Sequence, residues 1–154
     1  MEPPPSDDDR SPETYHRARE PLTRVGAGVV VAAGVAWACL RWKPARIRID
    51  GGSMAPTLAP DDWALVVTPT RFALGDVVVV EHPGRPGFEM VKRITAVPGG
   101  RVGDRTLAED EYWVEGDMAA ASTDSRQFGP VTGQALKAKV LLVYWPRERR
   151  RLVR

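Results

Sequence analysis

A mainly β domain, an antiparallel barrel or sandwich, preceded by one transmembrane helix, is the architecture that this sequence predicts. Three observations carry that reading. Residues 25–40, VGAGVVVAAGVAWACL, hold no charge. Beyond Pro44 the apolar residues come in short β-rich runs with no helix-period stretch among them. Those runs are separated by turn signals, among the 14 Gly and 14 Pro of a 154-residue chain.

Along the chain, residues 1–22 read as a disordered tail. Pro3, Pro4 and Pro5 lead into Ser6, Asp7, Asp8 and Asp9, with almost nothing apolar to bury. Residues 23–43 contain the uncharged run and are assigned to a membrane-spanning helix. Sixteen helical residues reach roughly 24 Å, a little short of the roughly 30 Å hydrocarbon core. Arg24 and Arg41 can snorkel outward, and Trp37 and Trp42 suit the interface. Competing readings are a buried helix, a cleaved signal peptide ending at Ala36-Trp37-Ala38, and lipidation of Cys39. Arginine and lysine flank both ends equally, so the positive-inside rule does not orient the segment.

Residues 45–146 form the β domain. Its predicted strands are ARIRID (45–50), WALVV (63–67), DVVVVEH (76–82), MVKRITAV (90–97), YWVE (112–115) and ALKAKVLLVYW (135–145). Residues 147–154 are a basic tail, either solvated or laid along an anionic lipid surface.

Composition narrows the function. The formal charge of +2 argues against a nucleic-acid binder. A single cysteine excludes an intramolecular disulfide framework and a dithiol redox motif, and two histidines leave little for a multi-histidine metal centre. His16 lies in the tail. His82 sits at a strand end and reads first as surface polar, so the usual catalytic base is scarce.

A lysine can replace it where burial disfavours the ammonium. In a strand, Met90, Lys92, Ile94 and Ala96 share one face and Val91, Arg93, Thr95 and Val97 the other. Periodicity alone leaves Lys92 either snorkelling at an edge or desolvated for use. Ser53 lies in GGSMAPTL (51–58), where two glycines permit unusual dihedrals and close backbone approach. On its own that string reads first as an ordinary turn. A third cluster, GDMAAASTDSRQFGPV (116–131), packs Ser122, Asp124, Ser125 and Arg126 into a small-residue loop, where Asp124 and Arg126 can pair.

Taken together and in order, GGSMAPTL, GDVVVVEHP (75–83), VKRITAVPGG (91–100), WVEGD (113–117) and STDSRQFGPV (122–131) resemble the type I signal peptidases. These are membrane-anchored Ser/Lys endopeptidases, which include mitochondrial inner-membrane peptidases and short bacterial proteases proposed to mature nickel superoxide dismutase. The resemblance implies Ser53 as nucleophile and Lys92 as neutral general base. It implies Ser122 as the residue orienting Lys92, and Asp124 with Arg126 as a bracing ion pair. Gly51, Gly52 and Met54 fall at the oxyanion and substrate-binding positions, Met54 near the substrate floor, with the Ser53 amide as an oxyanion donor. Many bacterial members carry a serine where this chain has Gly51, so the second donor is unassigned. Gly116-Asp117-Met118 and Pro98-Gly99-Gly100 also depart from the family's usual Gly-Asp-Asn and Pro-Gly-Asp.

The function so implied is removal of N-terminal signal or leader peptides from precursor proteins after small residues, without cofactor or metal. The implied partners are the precursor and a lipid bilayer, not nucleic acid. The expected location is the cell membrane, single-pass, with the β domain outside the cytoplasm or, alternatively, within it. A protease dedicated to the leader of one enzyme, such as nickel-type superoxide dismutase, is the alternative, and a non-enzymatic tethered β domain a third.

Overall fold

The computed structural model describes residues 32–37 and 43–154. Residues 32–37 are helical (α1), with exposed side chains. Among the described residues no helix is long and apolar enough to cross a membrane. The expected tail and most of the expected transmembrane helix lie outside the described residues.

The β domain is a curled antiparallel sheet, half of a barrel. Its principal strands are β1 (Ala45–Arg48), β2 (Trp63–Val67), β3 (Val77–Glu81), β4 (Glu89–Ala96), and then a small hairpin of β5 (Arg101–Val102) and β6 (Arg105–Thr106). They are followed by β7 (Glu111–Glu115), the one-turn helix α2 (Ser125–Phe128), β8 (Val131–Thr132), β9 (Leu136–Trp145) and β10 (Arg151–Leu152). The order across the sheet is β1-β2-β9-β3-β4-β7-β8, with β10 added to β9. Irregular register in the β2–β9, β3–β9 and β4–β7 pairs supplies the local twist that rolls the sheet.

The four consecutive valines of β3 show why the sheet must curl. Val77 and Val79 enter one apolar cluster with Ile49, Met54, Leu58, Val140 and Val143. Val78 and Val80 enter a second, with Ile94, Val114, Val131 and Leu136. A strand covered on both faces reads as a continuous apolar run, because alternate side chains both meet protein. On β4 the alternation is the expected one. Lys92 stands opposite Val78 and is buried, as are Ile94 and Ala96, while Arg93 is half-buried and Thr95 exposed.

The basic residues 147–154 do not form a solvated tail. A 3-10 turn, Arg147–Arg149, leads into β10, which pairs Arg151 with Val143 and Leu152 with Leu142. Val153 is buried against the first cluster.

Candidate active site

Ser53 sits on a tight turn between β1 and β2. Gly51 takes a φ of 80°, a conformation that a side chain would resist. The Ala55 N–H then donates to Gly52 O (3.1 Å) and the Leu58 N–H to Met54 O (2.8 Å). The second of these bonds closes residues 54–58 into a turn, and both Met54 and Leu58 are buried in the core. Asp62, buried at 1% exposure, accepts the Ala59 N–H (2.9 Å) and closes the turn.

Lys92 reaches this turn from β4. Its Nζ lies 2.9 Å from Ser53 Oγ, although the two residues are 39 positions apart. Lys92 is only 3% exposed. Burial pushes its amine below the ordinary 10.5, Asp124 pulls the other way, and Arg126 adds to the lowering. A neutral amine has a lone pair, so at this distance it can accept the serine proton rather than donate one.

The third cluster closes over the pair. Asp124, with no exposed surface, caps α2 and gathers five donors. Oδ2 accepts from Gly116 N–H (2.9 Å), Ser122 Oγ (2.6 Å) and Arg126 Nη2 (2.5 Å). Oδ1 accepts from Arg126 N–H (3.2 Å) and Nε (2.9 Å). Burial opposes the charge on Asp124, but these bonds outweigh it and hold the carboxyl well below the usual carboxylate range. Ser125 Oγ accepts the Val114 N–H (2.9 Å), which pins α2 to β7. Met118 N–H donates to Ser53 O (2.9 Å), so the loop after β7 touches the serine turn directly.

Ser53 and Lys92 open into a cleft of about 320 Å³. One wall is Asp50, Gly51, Gly52 and Ser53; the other is the run Glu89–Lys92. Strand β7 pairs with β4 only from Arg93 onward, so Glu89–Lys92 border the cleft along a strand edge that β7 leaves uncovered.

A buried lysine thus lies against a serine on a Gly-Gly turn. Comparison with known proteins places the chain among relatives. The model of the family described as signal peptidase, peptidase S26 matches residues 22–104 and 102–145. The chain belongs to that family. It is similar to mitochondrial ATP-independent inner membrane protease subunit 1a of Arabidopsis thaliana, 35% identical over 65% of this chain and 70% of the relative. It is also similar to mitochondrial inner membrane protease subunit 2 of Mus musculus, 33% identical over 79% of each chain. Subunit 1 of the Xenopus tropicalis protease is 32% identical over 64% of this chain and 68% of the relative. The protein is therefore a serine endopeptidase of the signal-peptidase type.

In this peptidase the structure brings Gly51, Gly52, Ser53 and Lys92 to one cleft, with Ser122, Asp124 and Arg126 braced beside it. Two expectations need correction. Met54 does not line the cleft; the turn at 54–58 buries it at 1% exposure in the core. The hydrogen bond that Ser122 makes is to Asp124, not to Lys92, because the carboxylate is the stronger acceptor within reach.

Sequence reasoning passed over two residues of the peptidase. His82, read as surface polar, lines the cleft, packed edge-on against Phe128 with ring centroids 5.0 Å apart. Its partner across the loop, Phe128, is far in sequence, so no local signal marked it. Arg93, placed by alternation on the face opposite Lys92, is a hub. It bonds Asp117 through Nε and Nη2 (2.8 Å each), Gly75 O (2.9 Å) and Thr57 Oγ1 (3.2 Å).

The lowered pKa of Lys92 has a stability consequence with a definite sign. The unfolded chain holds the lysine proton up to about 10.5, whereas the fold disfavours it. Each unit of lowering costs about 1.4 kcal/mol, in full below the folded pKa and vanishing as pH approaches the unfolded value. Lys92→Met is therefore expected to be more stable than wild type in urea melts near about pH 6, with the margin narrowing toward about pH 10. A margin that widens with pH contradicts a desolvated lysine.

Proposed function

We propose that the chain is a membrane-anchored Ser–Lys endopeptidase that removes N-terminal signal or leader peptides from precursor proteins, cutting after small side chains. The observation that carries this reading is the 2.9 Å approach of a buried Lys92 Nζ to Ser53 Oγ. Neutral Lys92 takes the proton from Ser53 Oγ as that oxygen attacks the scissile carbonyl. The tetrahedral oxyanion faces the Ser53 N–H, which has no intramolecular acceptor among the described residues. Collapse breaks the C–N bond, and the Lys92 ammonium returns the proton to the leaving amine. Water then gives a proton to Lys92 and attacks the acyl ester. The ester breaks, and Lys92 hands the proton back to Ser53.

Ser122 spends its proton on Asp124 and keeps acceptor lone pairs, which suits it to orienting the Lys92 amine. The Asp124–Arg126 pair holds Ser122 in place. The cleft beside the Glu89–Lys92 edge suits an extended peptide that adds as a strand. Gly51, Gly52, Val91 and Ala121 line it.

Membrane anchoring is supported by the uncharged run at 25–40, which ends five residues before β1 starts. The outer face of the sheet supports it too. Leu65, Leu142 and Leu152 stand in register across β2, β9 and β10, with Arg46 beside Leu65. Trp63 opposes Trp145, and these two tryptophans and Leu152 are exposed. Exposed tryptophan and arginine around leucine is an interfacial composition.

One preparation tests both parts of the proposal. The full chain, reconstituted with vesicles containing anionic lipid, is expected to float with them and to cleave a precursor peptide after Ala, leaving the same peptide with Phe at that position intact. Recovery of the protein without lipid overturns the anchor, and equal cleavage after Phe overturns the preference.

A further inference from the structure

We infer that residues 149–154 are a positioning hook that holds the elements carrying Ser53 and Lys92 in register. The inference rests on the Ser–Lys reading above. These residues lie beyond the part of the chain matched to the family, which stops at residue 145.

The hook touches the serine turn at two places. Arg151 Nη2 donates to Pro56 O (2.9 Å) and also to Thr57 O. Both carbonyls belong to a turn, where no strand ladder holds them. Arg149 approaches the buried Asp62 that closes the same turn, with Nη2 donating to Oδ2 (3.1 Å) and Nε 2.8 Å from Oδ1. Val153 packs into the cluster that contains Met54 and Leu58. Its N–H donates to Leu141 O (2.9 Å), so the segment is tied to the sheet as well.

The same segment reaches the lysine strand. Arg154 O accepts from Arg93 Nη1 (2.9 Å), and Arg93 follows Lys92 on β4. Arg93 in turn bonds Thr57 Oγ1 (3.2 Å), on the serine turn. Residues 149–154 and Arg93 thus close a ring of contacts through the Ser53 turn and β4. The distance that this ring governs is the one the proton crosses. Misplacement of reacting groups by about 1 Å can cost about 100-fold in rate, so loosening one arm of the ring is expected to cost about tenfold. Arg151 is a positioning residue here; it lines no part of the cleft.

The test compares Arg151→Ala, Arg151→Gln and Arg151→Lys in the full chain, assayed on a precursor peptide well below each variant's melting temperature. Active sites are counted with an acylating probe. Arg151→Ala and Arg151→Gln are expected to lose about tenfold in kcat per active site with KM unchanged, and Arg151→Lys, which keeps a cationic donor, to recover most of it. An unchanged kcat per site in either neutral variant overturns the hook. So does a loss shared equally by the lysine variant, or one that appears in KM. If wild type is inactive, or Ser53→Ala is active, the Ser–Lys reading has failed instead, and the two failures are told apart.

Discussion

Ser53→Ala and Lys92→Met are each expected to lower kcat for precursor cleavage by on the order of 10⁴-fold or more while the β domain stays folded. The two should cost about the same singly as together, since a nucleophile and its base act as one unit. Lys92→Arg should be equally inactive, because a guanidinium stays protonated and cannot accept the serine proton. The pH profile of the wild type makes the same point from the other side. Activity requires the neutral amine, so kcat/KM should rise with pH along an acid limb set by Lys92. Burial places that limb below the ordinary 10.5. Steady-state assays with circular dichroism as the folding control check all three variants. Turnover above one hundredth of wild type in purified Ser53→Ala or Lys92→Met removes the assignment.

Gly116→Ala should be the most damaging change outside the pair. A methyl group at Gly116 would lie 2.3 Å from Ser122 Oγ and 2.6 Å from the main-chain oxygen of Ser53. Both contacts are far inside van der Waals distance, and neither neighbour can swing away. Ser122 is held by Asp124 at 2.6 Å, and Ser53 O accepts the Met118 N–H at 2.9 Å. The strain must push the loop off the serine turn. The expected result is about a 100-fold loss in kcat and a stability loss of about 1–3 kcal/mol. Peptide kinetics and urea melts measure the two. A variant with wild-type kcat means that the loop after β7 does not hold the serine turn.

Much of the fold was legible because strands announce themselves locally. WALVV coincides with β2 residue for residue, and ALKAKVLLVYW differs from β9 only at its first residue. The alternation put Lys92 on one face with Met90, Ile94 and Ala96, and only the fold decided that this face buries it. The two-residue strands and the one-turn helix were not legible. Strands β5, β6, β8 and β10 and helix α2 are too short for a period to show. They exist because neighbours in the fold supply the partners. The C-terminal arginines are the clearest instance. PRERRRLVR reads as a solvated basic tail, because nothing in nine residues reveals that Asp62, Pro56 O and Thr57 O await its donors.

The site divides along the same line. The candidate residues came from the resemblance carried by the ordered strings around Ser53, Lys92 and Asp124; taken locally, the Ser53 string reads first as an ordinary turn and the alternation around Lys92 leaves its role open. What those residues do to one another was not readable there. The approach of Lys92 to Ser53, the burial that lowers the pKa of the amine and the descent of Met54 into the core arise only when the sheet curls. Each depends on contacts between segments tens of residues apart. A pKa is set by the low-dielectric surroundings that the fold assembles, and no stretch of sequence contains those surroundings by itself.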